Sequence, residues 1–168
     1  MLTLTKEDYV DVIQKEEVDL EFLVKDLCDD FFDIAMIQNK TLKVSSNLKH
    51  KNILSDKNKL RQLFIIFIDN AFKYTEEEDY IKISLSEKDE KIYIKIEDNG
   101  LGIKKEELPH LFDRFFRSEN VRNKDIDGSG IGLSIAKVIC DSLKYKLEVD
   151  SEYGKWTEFK ISIPIDVD

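Results

Sequence analysis

The stretch that decides the fold is residues 60–74, with the sequence LRQLFIIFIDNAFKY. Its apolar side chains recur every three or four residues, which is the spacing of an amphipathic helix. Ile65 and Ile66 widen the apolar stripe, so we expect this helix to be buried on more than one side. Near its end stands Asn70, whose amide would cost about 1–3 kcal/mol without a hydrogen-bond partner. We therefore expect a polar group against this end of the helix. The predicted core residues of the helix are Leu60, Leu63, Phe64, Phe67, Ile68, Ala71 and Phe72.

Length and composition bound the class of protein. With 168 residues and 42% hydrophobic residues, the chain fits one domain with a packed core. A net charge of −9 argues against nucleic-acid binding but not against one small anionic ligand. Cys28 and Cys140 stand alone without metal-ligand spacing, which fits a reduced cytosolic compartment. The longest apolar run, LFIIFI, is too short to span a bilayer.

The hydrophobic pattern predicts the order of helices and strands. Helical spacing recurs at 18–37 and 133–143, and Asp56 is a plausible N-cap for the central helix. Two segments, 80–86 and 91–97, alternate strictly and predict an antiparallel hairpin. We expect an α+β two-layer sandwich with three main helices on one face of a mixed, mostly antiparallel sheet. The remaining expected elements are strands at 41–46, 51–54, 145–151 and 157–163, a loop at 118–127, and a short helix opened by Pro109 that holds Leu111, Phe112, Phe115 and Phe116.

Five of the six glycines fall in two short segments, DNGLG at 98–102 and GSGIG at 128–132. Glycine used so sparingly marks places where the backbone approaches another group closely or adopts a positive φ. The second segment leads into a predicted helix, whose free N–H groups suit an anion. The alternative is a pair of ordinary turns. The P-loop pattern and the Rossmann fingerprint are both absent from the sequence.

Asp98 follows a strand whose isoleucines share one face, so its carboxylate could accept a hydrogen bond from an amino group such as that of adenine. An aspartate that only forms a turn is the commoner reason for a D-N-G sequence. Lys73 shares a helix face with Asn70 and could meet phosphate, although a lone lysine is usually solvated. Arg114 and Arg117 flank two phenylalanines that could equally belong to the core.

Together these segments resemble the catalytic, ATP-binding domain of sensor histidine kinases, in the superfamily that includes gyrase B, Hsp90 and MutL and shares the Bergerat fold. The resemblance covers about 18–165 and follows the family's order. Residues 60–75 resemble the N box, and EDNGLGI at 97–103 resembles the G1 box. LFDRFFR at 111–117 resembles the F box, and DGSGIGLSIAK at 127–137 resembles the G2 box. The closing segment is SEYGKWTEFKISIP at 151–164.

The resemblance implies a role for each matching residue. Asn70 would coordinate Mg²⁺, Lys73 and Tyr74 would line the phosphate and ribose region, and Arg117 would reach the γ-phosphate. Asp98 would recognise adenine, with Thr157 nearby. The remaining implied contacts come from Gly100, Gly102 and Ile103 around the base, and from Gly128, Gly130, Gly132 and Leu133 at the phosphates and the hinge of the lid.

Two positions depart from the family pattern. Ile66 stands where the N box usually has a second asparagine, and where gyrase-type relatives have the glutamate that activates water. Hydrolysis of the gyrase type is therefore not expected, whereas transfer to a histidine depends on another domain. Trp156 stands where the family usually has glycine, which bears on the shape of the pocket floor.

The resemblance also implies parts that this sequence does not contain. Neither His50 nor His110 has the surroundings of a phosphoacceptor histidine. We expect residues 1–17 to be a linker or the remnant of a preceding dimerisation and phosphoacceptor helix, and residues 18–168 to form the ATP-binding domain. The whole protein would be a membrane-anchored homodimer with this domain in the cytoplasm, and the fragment alone would be a monomer.

The leading hypothesis is thus an ATP·Mg²⁺-binding catalytic domain of a two-component protein-histidine kinase, acting on its own phosphoacceptor domain and, downstream, on a response regulator. Alone, it would bind ATP but turn over little. One alternative is an enzymatically silent nucleotide-binding module of the same fold. Another is a serine kinase of the anti-sigma type, against which the phenylalanine-rich segment 111–117 weighs, because it resembles a docking surface for phosphoacceptor helices.

Overall fold

The computed structural model describes residues 12–116 and 132–165. These residues form the α+β fold that the sequence predicts, with three α-helices and seven strands. The helices are α1 (Leu20–Ile37), α2 (Lys57–Lys73) and α3 (Gly132–Leu143). The strands are β1 (Glu16–Asp19), β2 (Thr41–Ser46), β3 (Asn52–Ser55), β4 (Tyr80–Lys88), β5 (Lys91–Asp98), β6 (Lys146–Glu152) and β7 (Trp156–Pro164).

The main sheet has five strands in the order β2-β4-β5-β7-β6. Only the β2–β4 pair is parallel within it, so the expected mixed and mostly antiparallel sheet is confirmed. The predicted hairpin is β4–β5, and its two-residue turn consists of Asp89 and Glu90 at φ 53° and 63°. Positive φ at both positions is the geometry that matches the twist of two antiparallel strands.

Helix α2 packs its apolar face on the sheet. All seven residues predicted for its core side are buried. The ring of Phe67 lies 4.8 Å from that of Phe159 on β7, measured between centroids. Asp56 caps the helix as expected, since its side chain accepts a hydrogen bond from the backbone N–H of Lys59. The expectation of a wider buried stripe is wrong for Ile65, which is exposed, while Ile66 is half-buried.

Strand β1 is a feature that the sequence analysis does not predict. Residues 16–19 pair antiparallel with β3 in a separate two-stranded sheet. Helix α1 consequently begins at Leu20 rather than at residue 18, because Asp19 is its N-cap and accepts a hydrogen bond from Phe22 N. Residues 16 and 17, assigned above to a linker, are therefore strand residues.

The prediction of a helix that begins at Pro109 and holds the following phenylalanines is wrong in its length. A 3₁₀ helix covers Leu108–His110, and the chain then continues in turns. Phe115 has φ 66°, which ends any right-handed helix at this point. Leu111 is buried and Phe112 and Phe116 pack on the core, but the side chain of Phe115 is 58% exposed.

Two further expectations concern the cysteines and the bilayer. Cys28 and Cys140 are buried free thiols, and burial raises the pKa of each to about 12, so both are protonated and unreactive. Among the described residues, no helix has the length and apolarity to cross a bilayer. The expected loop at 118–127 lies outside the described residues.

Candidate nucleotide-binding site

Asp98 ends β5 on the buried face of the sheet. Side chains alternate along a strand, so Asp98 continues the row of buried isoleucines at positions 92, 94 and 96. It is 3% exposed, and its Oδ1 accepts a 2.9 Å hydrogen bond from Gly100 N. Thr157, which is also buried, lies directly opposite Asp98 on β7. The structure thus brings together the two residues expected around adenine.

Burial changes the acidity of this carboxyl group. It raises the pKa of Asp98 to about 7, and the neighbouring carboxylates of Asp79 and Glu97 act in the same direction. The hydrogen bond from Gly100 N and the charge of Lys40 offset part of this effect on the pKa. Asp98 is therefore a carboxyl group that changes its protonation state near neutral pH, which is characteristic of functional sites.

The glycine loop after β5 packs against the C-terminus of α2. A Cβ atom on Gly100 would overlap the backbone carbonyl of Tyr74, so a side chain at this position is excluded. Leu101 N donates a 3.1 Å hydrogen bond to the same carbonyl oxygen. The sparing use of glycine predicts a close approach of the backbone to another group. In the structure, that group is the C-terminus of α2.

Gly102 packs on the other side of the loop, against the turn between β6 and β7. Its φ is +69°, and a Cβ atom there would overlap the carbonyl oxygen of Glu152. Gly154 N donates a 2.6 Å hydrogen bond to Leu101 O across this contact. The loop is thus held between α2 and the β6–β7 turn, with Ile103 half-buried at its end.

Ser151 is a site residue that sequence reasoning missed. Its Oγ accepts a 2.8 Å hydrogen bond from Ile103 N and donates a 2.7 Å bond to Trp156 O. Since the single hydroxyl proton is used on Trp156, the Thr157 hydroxyl is the donor in their 3.0 Å contact. Ser151 therefore joins the glycine loop to the start of β7. A serine near the end of a strand gives no signal of such a role.

The C-terminal end of α2 presents the polar residues expected at the phosphates. Asn70 and Tyr74 are half-buried, and Lys73 is exposed. Lys73 Nζ lies 3.1 Å from Asp69 Oδ2, one turn earlier on the same helix. Within the described part of the chain, the Asn70 side chain makes no hydrogen bond, so its amide oxygen is available to a ligand.

The N-terminus of α3 lies beside α2. A Cβ atom on Gly132, the first residue of α3, would be 3.7 Å from the Cγ2 atom of Ile66. Leu133 is half-buried and packs on the core. The N-terminal amides of α3 therefore start one helical turn from Asn70. Arg117, Gly128 and Gly130 lie outside the described residues.

Trp156 lies away from the buried side of the site. Successive side chains of a strand point to opposite faces, so Trp156 lies on the face opposite to Thr157. Its side chain is half-buried there, next to the paired residue Glu152. The tryptophan that replaces the family's glycine at position 156 therefore does not point to the side of the sheet where Asp98 and Thr157 lie.

A divalent cation would depend on Asn70 and on a ligand's own oxygens. No group of three or more His, Cys, Asp or Glu residues is arranged to hold a metal in the described ranges 12–116 and 132–165. Mg²⁺ commonly takes one or two protein ligands and completes its shell with phosphate oxygens and water. The amide oxygen of Asn70, which has no hydrogen-bond partner among the described residues, fits that mode of binding.

Residues 55–167 match the family model of the histidine kinase-, DNA gyrase B- and HSP90-like ATPases. That range is more than half of the chain, and the chain therefore belongs to this family. Within the family, its sequence is similar to sensor histidine kinases. The sensor protein CiaH of Streptococcus pneumoniae is 39% identical over 132 residues, which are 79% of this chain and 30% of CiaH. The chain thus spans about 30% of that relative's length.

Solved structures show the same fold. The nucleotide-free catalytic domain of the histidine kinase ThkA superposes with a TM-score of 0.78 at 23% identity, covering 90% of this chain and 96% of that one. Another ThkA structure, in complex with the response regulator protein TrrA, has a TM-score of 0.77 at 20% identity and covers 92% of this chain and 43% of that one. Full-length ShkA in complex with AMPPNP has a TM-score of 0.83 at 22% identity, covering 97% of this chain and 34% of ShkA. The fold is therefore that of a histidine kinase catalytic domain.

Proposed function

We propose that this chain is the ATP·Mg²⁺-binding catalytic domain of a two-component sensor histidine kinase. It would transfer the γ-phosphoryl group of ATP to a histidine of a separate dimerisation domain. The observation that carries the proposal is the buried carboxyl group of Asp98, placed between Thr157 and a glycine loop packed on α2. The amino group of adenine would donate a hydrogen bond to the ionised carboxylate of Asp98. That ShkA was solved with AMPPNP on the same fold supports ATP as the ligand.

The residues around Asp98 define how ATP would be held. The base would lie against Ile103 and the loop containing Gly100 and Gly102, with Thr157 beside its amino group. The triphosphate would extend between the end of α2 and the start of α3, toward Gly132 and Leu133. Tyr74 lies at the corner between the two regions and would line the ribose.

Charge neutralisation would come from both helices. Lys73 would exchange its ion pair with Asp69 for a phosphate oxygen, and N–H groups at the start of α3 would meet the phosphates. Asn70 would hold Mg²⁺, which would supply positive charge to the phosphates when bound. We include Arg117, Gly128 and Gly130 in the site on the resemblance alone.

The reaction requires positioning and electrostatic stabilisation more than covalent help from the protein. The bond from the γ-phosphorus to its bridging oxygen breaks, a nitrogen–phosphorus bond forms, and ADP leaves. The half-buried Ile66 cannot activate water, so the isolated domain would bind ATP and hydrolyse little of it. The whole protein would be a homodimer that is anchored in the membrane, with this domain in the cytoplasm, and it would pass the phosphoryl group to a response regulator.

Ile66 also favours a second candidate, an enzymatically silent module that signals by binding nucleotide. The family pattern has an asparagine at position 66, and here the alkyl side chain of Ile66 approaches Gly132 instead. An alkyl group at this position removes one polar contact from the phosphate region. The silent module would bind Mg²⁺-ATP, but it would not phosphorylate a histidine.

Thermal unfolding with and without Mg²⁺-ATP tests the binding site. A ligand at one hundred times its Kd stabilises by about 2.7 kcal/mol, which is a Tm increase of roughly 5–10 °C for a domain of this size. We expect this increase for the parent and for Asp30→Asn, an exposed control on α1, and the loss of most of it in Asp98→Asn. No increase for the parent at millimolar ATP would refute the proposed site.

Phosphotransfer separates the two candidates. The chain is mixed with [γ-³²P]ATP, Mg²⁺ and the dimerisation domain of its own full-length protein, and labelled histidine is measured. A kinase labels that domain, and Asp98→Asn loses the label. Binding of ATP without labelling would favour the silent module.

A further inference from the structure

We propose that a cavity at the opposite end of α2 and α3 from Asp98 is a second ligand site, which takes a small organic anion with an apolar body. The cavity has a volume of about 280 Å³ and lies between β3, the connection from α3 to β6, and the end of β7. A chain that binds no ATP would leave this proposal standing, because the lining of the cavity shares no residue with the proposed nucleotide site.

The cavity is separated from the proposed nucleotide site by the length of a helix. Helix α2 begins two residues after Ser55, which lines the cavity, and ends at Lys73. Its 17 residues span about 25 Å at 1.5 Å per residue. Helix α3 begins at Gly132, near the expected phosphates, and ends at Leu143, which lines the cavity. A small ligand in the cavity is therefore out of reach of Asp98.

The buried and half-buried part of the described lining is apolar apart from one pair of hydroxyl groups. Ile53 and Ile163 are buried in the core, and Leu143 is half-buried. The hydroxyl oxygens of Ser55, which is 1% exposed, and Tyr145 lie 2.5 Å apart. Hydroxyl groups both donate and accept hydrogen bonds, so this pair can orient a polar group of a ligand. Apolar walls with a few placed polar groups are typical of small-molecule sites.

The charge of the cavity comes from two lysines. Lys15 and Lys144 are exposed at its rim, and no aspartate or glutamate of the described residues lines it. Neither lysine forms an ion pair with a described residue. Asp56, the carboxylate next to the cavity along the chain, accepts hydrogen bonds from two backbone N–H groups instead. In a chain with a net charge of −9, the cavity thus offers two cations to an anionic group.

The backbone conformation of Lys144 is unusual for a lysine. This residue follows α3 with φ 63°, in the left-handed region, where glycine is the usual residue after a helix. Tyr145 N donates a 2.8 Å hydrogen bond to Cys140 O, which fixes this helix end. Strained positions often persist where a side chain serves a function. A cation also suits the C-terminus of a helix, so stability and ligand affinity must be measured separately.

Binding of 8-anilinonaphthalene-1-sulfonate tests the proposal, because this organic anion has an apolar body and fluoresces strongly in apolar surroundings. We expect one site per chain with a Kd on the order of 10–100 µM, both with and without saturating Mg²⁺-ATP. In NMR spectra the probe should shift the backbone signals of 53–55 and 143–145 and leave those of 98–103 unchanged. Shifts at 98–103 instead, or no saturable binding at millimolar probe, would overturn the proposal.

Two substitutions of Lys15 measure the contribution of charge at the rim. Lys15→Glu should weaken probe binding about fivefold, because it replaces an attractive charge by a repulsive one, whereas Lys15→Arg should bind the probe as the parent does. Lys43→Glu makes the same charge reversal at an exposed lysine of β2, away from the cavity, and should leave the affinity unchanged. Equal weakening in Lys15→Glu and Lys43→Glu would mean that only the net charge of the chain matters, which contradicts a site at the cavity.

Lys144→Gly gives a result that a loss of folding cannot imitate. Glycine adopts the positive φ without strain, which offsets the freedom that it adds to the unfolded chain, so the Tm should change little. Loss of the ammonium group should weaken probe binding about three- to fivefold. Parent affinity in both Lys144→Gly and Lys15→Glu would show that the cavity takes only the apolar part of the probe, and an anion site would then be excluded.

Discussion

Asp56 and Asp98 are both buried carboxyl groups, but they lie at opposite ends of α2 and have different partners. Asp56 precedes α2, and each of its oxygens accepts a backbone hydrogen bond, Oδ1 from Lys59 N at 3.1 Å and Oδ2 from Gln14 N at 3.0 Å. Asp98 lies near the end of α2, and its Oδ1 accepts one bond from Gly100 N. Within the described residues, Oδ2 of Asp98 makes no hydrogen bond. Asp56 is thus satisfied by the fold, whereas Asp98 keeps an acceptor for a ligand.

The two positions also differ in their electrostatic surroundings. The N-terminus of a helix stabilises a negative charge, and Asp56 occupies that position on α2. Asp98 is buried and lies near the carboxylates of Asp79 and Glu97, and the burial and both carboxylates raise its pKa. A carboxyl group kept where its charge is disfavoured is typical of a functional site rather than of a structural cap.

The largest expected effect is on ligand affinity. Asp98→Asn should weaken Mg²⁺-ATP binding at pH 8 by about 2–3 kcal/mol, or roughly 30- to 150-fold, because a hydrogen bond to a charged acceptor is lost. Isothermal titration calorimetry measures this change. Asp56→Ala should bind ATP as the parent does. Equal losses in the two variants would remove the distinction between the carboxyl groups.

The second effect is on the pH dependence of stability. The folded-state pKa of Asp98 is about 7, above the value near 3.9 of an unfolded chain. The folded chain therefore binds a proton that the unfolded chain releases, and this stabilisation is fully present below pH 4 and is lost as pH rises through 7. Across that window the free energy of unfolding of the parent, relative to Asp98→Asn, should fall by about 1.4 kcal/mol per pH unit.

Urea unfolding of both proteins at pH 5, 6, 7 and 8 measures this difference. The difference in the free energy of unfolding should fall steeply between pH 5 and 7 and stay constant above pH 7. Parallel curves for the parent and Asp98→Asn across the whole range would show that Asp98 titrates as an ordinary exposed carboxyl group.

The third effect is a loss of stability when the capping carboxylate of Asp56 is removed. Asp56→Ala should lower the free energy of unfolding by about 1–2 kcal/mol, because the N–H groups of Lys59 and Gln14 lose their acceptor. In a chain of this size the Tm should fall by about 2–8 °C. Asp56→Asn should restore most of the loss. A loss of ATP affinity in Asp56→Ala, with unchanged Tm, would reverse the roles given to the two residues.

The smallest expected effect concerns the support of the glycine loop. Ser151→Ala removes the hydroxyl that joins Ile103, Trp156 and Thr157, and should lower the free energy of unfolding by about 1 kcal/mol. We expect ATP affinity to fall severalfold as well, since the loop beside Asp98 loses an anchor. Ser45→Ala, on the exposed side of β2, is the matched control and should change neither. Equal behaviour of the two serine variants would mean that Ser151 does not support the site.

Local patterns predict much of this fold. The repeat of apolar residues in 60–74, the cap Asp56, and the alternation before Asp98 each report a property of a short stretch, and the structure bears them out. The buried end of the 91–98 strand could be predicted because side chains alternate along a strand. The same alternation places Thr157 opposite Asp98 once the two strands are paired.

Contacts between distant residues could not be predicted in this way. Ser151 bonds Ile103 across 48 residues, and Lys40 bonds Phe72 across 32 residues, so neither contact leaves a local pattern. Strand β1 exists because it pairs with β3, not because its own sequence alternates clearly. The helix expected after Pro109 fails at the positive φ of Phe115, a conformation that an apolar pattern does not reveal.

The central claim is that Asp98 recognises adenine, and a crystal structure of the chain with Mg²⁺ and a non-hydrolysable ATP analogue tests it most directly. We predict that the amino group of adenine lies about 3 Å from a carboxylate oxygen of Asp98. The phosphates should lie between the end of α2 and the start of α3. A base that binds elsewhere, with no hydrogen bond to Asp98, would contradict the account.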